Sequence, residues 1–96
     1  MDKRNEDITS AAQVGQRLAW TREAKEWTQA YVAKAVGLAG ASGWANYESG
    51  INRIPIGYAL RFCSIAGVDT NWVYQGKIDG VPHSLALKIQ ALMQAS

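Results

Sequence analysis

Cysteine is almost missing from this chain: Cys63 is the only one in 96 residues, so no disulfide can form within it. One Cys and the single His83 also cannot supply the four ligands of a structural zinc site, and no metal is expected. Charge of one sign is equally scarce. Ten Lys and Arg stand against eight Asp and Glu, and a net charge of +2 makes any affinity for a polyanion depend on where the cations sit. No apolar run approaches the roughly 20 residues that a membrane span needs. No apolar signal segment follows the start either, so a cytoplasmic protein without a membrane partner is expected.

Catalytic and cofactor signatures are lacking as well. Gly37, Gly40 and Gly43 do not have the G-x-G-x-x-G spacing of a phosphate-cradling loop, and no Gly-Lys-Ser/Thr follows them. The stretch "GASGW" has Trp44 where a G-x-S-x-G nucleophile elbow needs its second glycine, and His83 has no carboxylate in a recognisable order. No enzyme, cofactor or small-molecule substrate is therefore expected. Cys63, inside "LRFCSIAG", reads as a small buried hydrophobe.

What is present is apolar mass at helical spacing. A 48% apolar composition with four Trp and four Tyr is enough for one packed core, and the length suits a single domain. The opening "MDKRNEDIT" alternates charge without apolar period and reads as a mobile arm over residues 1–9. Lys3 and Arg4 in it could graze DNA, although Asp2, Glu6 and Asp7 cancel most of their field.

From residue 10 the pattern turns helical. Ser10 and Gln13 have capping-box spacing, and Val14, Leu18 and Thr21 share a stripe of a first helix that ends near Lys25. Thr28 offers a cap to "QAYVAKAV", with Val32, Ala33 and Val36 on one side and Gly37 as its stop. A third helix, "SGWANYES", places Trp44 and Tyr47 on one face before Gly50. Pro55 fits the first turn of a fourth, "IGYALRFCSIA", with Ala59, Leu60 and Cys63 inward, and Thr70 fits the cap of a fifth, "NWVYQ". After the linker-like "GKIDGVP", Pro82 opens a segment with Leu85, Ile89 and Leu92 at helical spacing. That stripe either packs on the bundle or forms a dimer seam. The expected division is an arm over 1–9, a bundle over 10–76, and a linker with a C-terminal helix over 77–96.

In order and spacing, these segments resemble the Cro and phage-repressor family of helix-turn-helix proteins, the XRE type. The carriers are "VGQRLAWTREAKEWTQAYVAKAVG", the Thr28-Gln29 pair, Ala33 at the small-residue position, Tyr47-Glu48-Ser49-Gly50, and "LRFCSIAGVDTNWVYQG", spanning residues 13 to 76. "DGVPHSLALKI" is similar to a tail found in some members. The resemblance implies an all-α, five-helix repressor-like bundle with an additional C-terminal helix. Its third helix would lie in the major groove of double-stranded DNA, and its second would brace that helix across the backbone.

It also implies roles. Ala41, Ser42 and Asn46 would face bases, while Arg17, Thr28, Gln29 and Arg53 would meet phosphates. Arg22 and Glu48 would form a structural ion pair between the first and third helices. The implied activity is a transcriptional repressor that binds a palindromic operator as a homodimer.

The sequence departs from this family in the reading region. The turn after Gly37 is one residue longer than usual, which leaves Ala41 and Ser42 as alternative first readers. Gly40, Ala41 and Gly43 stand where long polar side chains are common, and Glu48 is the only charged residue between Lys34 and Arg53. Three accounts fit: a small-faced helix that sits deep in the groove, reading through DNA shape, or a bundle that binds protein, such as an antitoxin. Of the four tryptophans, Trp27, Trp44 and Trp72 fall at core positions. Trp20 falls off the stripe, to be covered by a partner or by the N-terminal arm.

Overall fold

The computed structural model describes residues 7–96, so Lys3, Arg4 and their suggested contact with DNA lie outside the described residues. Six α-helices follow one another: α1 (Ala11–Ala24), α2 (Gln29–Val36), α3 (Ala41–Ser49), α4 (Ile56–Ala66), α5 (Thr70–Gln75) and α6 (His83–Ala95). A 3-10 turn, Ile78–Gly80, precedes α6, and no strand occurs among the described residues.

The caps explain where α1 and α2 start. Ser10 Oγ accepts from the Gln13 backbone N–H at 3.1 Å, and Thr28 Oγ1 accepts from that of Tyr31 at 3.0 Å. Leu18, Val32, Val36, Trp44, Phe62, Trp72 and Ile89 meet in one core, and α3 packs chiefly on α1 and α2. Thr21 is buried with its hydroxyl satisfied: it donates to the Arg17 carbonyl at 2.7 Å and accepts from Trp72 Nε1 at 2.8 Å.

Several local expectations need correction. Leu60 points outward with 52% exposure, because Ala59, Phe62, Cys63 and Ala66 set the inward stripe of α4. Asp69, not Thr70, caps α5, its carboxylate accepting from Trp72 N–H at 3.0 Å. Pro55 and Pro82 each stand one residue before their helix. The "GKIDGVP" stretch is not a loose linker, because it holds the 3-10 turn and buries Val81 in the core.

The stripe of α6 packs on the bundle. Leu85 and Ile89 are buried, Leu92 lies at the core edge, and α6 lies against α1, so this face is consumed and cannot be a seam. Trp20 is half-buried against the core, and its indole N–H donates to Ser96 Oγ at 3.2 Å. Trp27 is only half-buried and packs at a tilt of 44° against exposed Tyr31, with centroids 5.4 Å apart. At the N-terminal side, the Asp7 carboxylate accepts from the backbone N–H and hydroxyl of Thr9, which holds its pKa below the ordinary value.

Two glycines decide how closely α1 meets α3. A Cβ on Gly15 would run into the backbone carbonyl oxygens of Tyr47 and Glu48. Gly50, which ends α3 at φ 83°, would place one 2.8 Å from Ala12 Cα. Backbone atoms at helix positions cannot swing aside as a side-chain tip can, so both contacts demand the missing methylene. Gly15→Ala is expected to lower unfolding free energy by on the order of 2 kcal/mol in urea titrations, despite the better helix propensity of alanine.

The end of α1 carries strain of the opposite kind. Trp27 N–H bonds to Arg22 O and Glu26 N–H to Glu23 O, the two bonds of a Schellman ending, with Glu26 at its left-handed position, φ 61°. A non-glycine residue there costs roughly 1–2 kcal/mol. Glu26→Gly should therefore raise stability by about 0.5–1 kcal/mol after the extra unfolded-state entropy of glycine is subtracted, visible as a higher melting temperature.

Candidate nucleic-acid interface

The inward side of α3 is fixed by one aromatic ring and one carboxylate. Trp44 is fully buried, with its ring centroid 5.0 Å from that of Phe62 and edge-on to Tyr47 at 6.1 Å. One turn later, the Glu48 carboxylate lies between α1 and α2. Arg22 grips it twice, Nε to Oε2 at 2.6 Å and Nη2 to Oε1 at 3.1 Å, with side-chain exposures of 13% and 7%. Gln29 Nε2 donates to Oε1 at 3.0 Å and Trp44 Nε1 to Oε2 at 2.5 Å. Arg22 also donates Nη1 to the Trp27 carbonyl at 2.8 Å, which ties the α1–α2 connection into the same cluster.

The electrostatics of this cluster are demanding. A carboxylate in the last turn of a helix faces the negative end of the dipole, and burial removes its hydration. The hydrogen bond with Glu48 raises the Arg22 pKa above its ordinary value even though burial opposes it.

With Glu48 turned inward, the outward side of α3 is small and uncharged. Ser42 is exposed on the first turn, Ala41 and Asn46 are half-buried, and Ser49 is exposed. The Asn46 carbonyl accepts from Ser49 Oγ and Asn52 N–H, both at 3.2 Å. The Asn46 side-chain amide has no protein partner among the described residues. The α2–α3 connection runs over residues 37–40, and Ala41 opens the helix behind Gly40, which offers no side-chain cap.

The residues expected at phosphates are not equally placed. Thr28 is exposed at the start of α2, and its hydroxyl proton is uncommitted while the oxygen caps the helix. Gln29 is half-buried and spends one amide proton on Glu48. Arg53 is exposed just beyond α3, with Nη1 bonded to the Thr9 carbonyl at 2.6 Å.

Arg17 must be removed from this group. It is only 5% exposed, and its Nη1 donates to the Val73 carbonyl at 3.0 Å, inside the bundle. Its charge lies near the C-terminal end of α5, where the helix dipole favours a cation, and burial lowers its pKa. It is a structural residue.

Two exposed cations on α2 and α4 were not picked out from the sequence. Lys34 lies in the last turn of α2, in plain view within "QAYVAKAV". Arg61 lies beside the α2–α3 connection, where it donates to the Val36 carbonyl at 2.9 Å and covers the Tyr58 ring at 5.6 Å. No sequence signal marks Arg61, because the contact joins helices 25 residues apart. No three His, Cys, Asp or Glu among the described residues stand so that they could hold a metal. The Cys63 thiol is pushed up to about 11 by burial, with a smaller contribution from Asp69, so it is protonated at neutral pH.

A family model described as a helix-turn-helix domain matches residues 13–71, from the first turns of α1 into α5. The chain belongs to the helix-turn-helix domain family. It falls in the XRE-like group, and the fold is the all-helical bundle of that group. No curated protein and no solved structure matches the chain. Membership marks a DNA-binding regulator, in a family that is not typically enzymatic. No helix among the described residues is long and apolar enough to cross a membrane.

The Glu48 cluster generates a test of how this helix-turn-helix is held. Removing one partner of a buried ion pair leaves the other charge uncompensated, at about 3–5 kcal/mol. Glu48→Ala should cost that much in chemical denaturation. Glu48→Gln, which keeps the shape and part of the hydrogen bonding, should fall between it and the parent chain.

Proposed function

We propose that this chain is a sequence-specific transcriptional regulator, a repressor that binds a palindromic operator as a homodimer with α3 in the major groove. The observation that carries this reading is the family match over residues 13–71, combined with an α3 whose only charged side chain is drawn inward. An uncharged, small outward face lets the helix backbone approach base edges closely. Asn46 then offers a bidentate pair to adenine, Ser42 one hydroxyl, and Ala41 a methyl for thymine contacts.

Around that face, Arg53, Thr28 and Gln29 are assigned to phosphates, with exposed Lys34 added to them. DNA shape adds to the discrimination, because few base contacts are on offer. Regulation would then run through protein concentration and assembly. The scarcity of charge from residue 35 to 52, where Glu48 stands alone, favours a second reading, a protein-binding module such as an antitoxin.

Selection of bound duplexes from a randomised library at two salt concentrations separates these readings and the individual roles. Asn46→Ala should relax preference at one base pair per half-site, worth roughly 1–3 kcal/mol of discrimination, without changing the salt dependence. Arg53→Ala should weaken all sequences alike and lower the slope of log affinity against log salt by about 1. Ser42→Ala should lie between them. An unenriched library for the parent chain would leave the protein-binding module as the better account.

A further inference from the structure

The two ends of α3 are held very differently. Its second half is anchored by buried Trp44 and by the Glu48 carboxylate. At its start Gly40 gives no side-chain cap, and the Gly40 carbonyl accepts from Gly43 N–H, three residues on, at 3.3 Å. In each of the other five α-helices the cap carbonyl accepts from the N–H four residues on. Ala41 and Ser42 stand at this weakly closed end, whereas Asn46 lies between the two anchors.

The position of the start is therefore left to the connection over residues 37–40. Leu38 packs on the core, and its methyl groups lie 3.7 and 3.8 Å from where a Cβ on Gly43 would stand. Gly37 leaves α2 at φ 94°, with its N–H and that of Leu38 both on the Ala33 carbonyl. The Val36 carbonyl, the last of α2, is taken by Arg61 Nη1 at 2.9 Å. Among the described residues, no other side chain hydrogen-bonds to the stretch from Val36 to Gly43.

Arg61 is itself held in place. Its guanidinium covers the Tyr58 ring at 5.6 Å, and Tyr58 packs on Tyr47 of α3 with centroids 6.3 Å apart. A planar guanidinium can lie over a ring and donate in its own plane at once, which an ammonium cannot. Nη1 also lies 3.0 Å from where a Cβ on Gly37 would stand, directly against the turn. One side chain of α4 thus joins the end of α2 to an aromatic pair that reaches α3.

We infer that Arg61 is a positioning residue: without touching DNA it fixes the end of α2, and so the place where α3 begins and the base pair that Ser42 reads. The inference rests on the proposed operator binding and names a determinant of its specificity. A helix turns by about 100° per residue, so a start that frays or slips by one position carries Ser42 away from its base edge. Asn46, one turn further on, keeps its place because Trp44 and Glu48 flank it.

The test uses the full chain, and its first part needs no DNA. In amide hydrogen exchange, Arg61→Ala should speed exchange at Gly43 and Ala45 by about fivefold, the scale of one lost hydrogen bond, and leave Glu48 and Ser49 as in the parent chain. Arg61→Lys, which can still donate to Val36 but cannot lie flat on Tyr58, should fall between the two. In the second part, the variants are selected against the randomised duplex library at two salt concentrations. Arg61→Ala should lose about fivefold in preference at the base pair that Ser42→Ala also relaxes, and should keep both the preference that Asn46→Ala removes and the parent salt dependence. A slope of log affinity against log salt lowered by about 1 would make Arg61 a phosphate contact and overturn the inference. Unchanged exchange at the start of α3 would overturn it too, as would an equal loss at the Asn46 base pair, the mark of a helix loosened as a whole. A parent library with no enriched duplex would instead overturn the operator-binding reading, while faster exchange confined to Gly43 and Ala45 would still uphold the hold of Arg61 on α3.

Discussion

The Glu48 carboxylate is the contact on which the reading region depends. α3 is short, starts without a side-chain cap, and fully buries only Trp44. Propensity and capping therefore do little to fix its direction. Arg22 from α1, Gln29 from α2 and Trp44 from α3 itself converge on two oxygens and set the helix against both neighbours. A buried pair of this kind is weak as a source of net stability and strong as a source of uniqueness, since most other placements of α3 would strand a charge. The close backbone contact at Gly15 and Gly50 acts with it, removing the freedom to slide that small side chains would otherwise leave.

Seen from the bundle, all six helices share the apolar core, while the inward-facing arginines come from one of them. α1 supplies Arg17 for the end of α5 and Arg22 for the end of α3. Each arginine answers a helix C-terminus. Arg61 does the same for α2 through the Val36 carbonyl. The modest net charge of the chain is thus partly misleading, since several cations are engaged in holding the fold and only some face outward.

The helices themselves were legible because their periodicity and punctuation agree. Ser10, Thr28, Gly37 and Gly50 mark ends that the structure keeps, and Val14, Leu18, Val32 and Trp44 lie where helical spacing puts them. What escaped the sequence was decided by contacts distant along the chain. Arg17 looks like a surface cation until α5 closes over it, and Trp20 looks exposed until Ser96 comes back to its indole. Leu60 and Phe62 compete for the inside of α4, and an apolar residue two positions away is enough to shift the phase. Asp69 against Thr70 is a one-residue ambiguity that only the cap geometry resolves. At the interface, the inward turn of Glu48 matches the family pattern, while the commitment of one Gln29 amide proton to it becomes visible only in three dimensions.

The outward positions of α3 hold nothing up. Ala41, Ser42 and Asn46 use no side-chain bond to the bundle, while the scaffold is secured from behind by Trp44 and Glu48. Mutational drift on that surface is accordingly almost decoupled from folding, and substituting longer side chains there would alter the target before it altered the molecule. A duplicated copy of such a chain could acquire a new binding site in a few steps, with its ancestor's architecture intact.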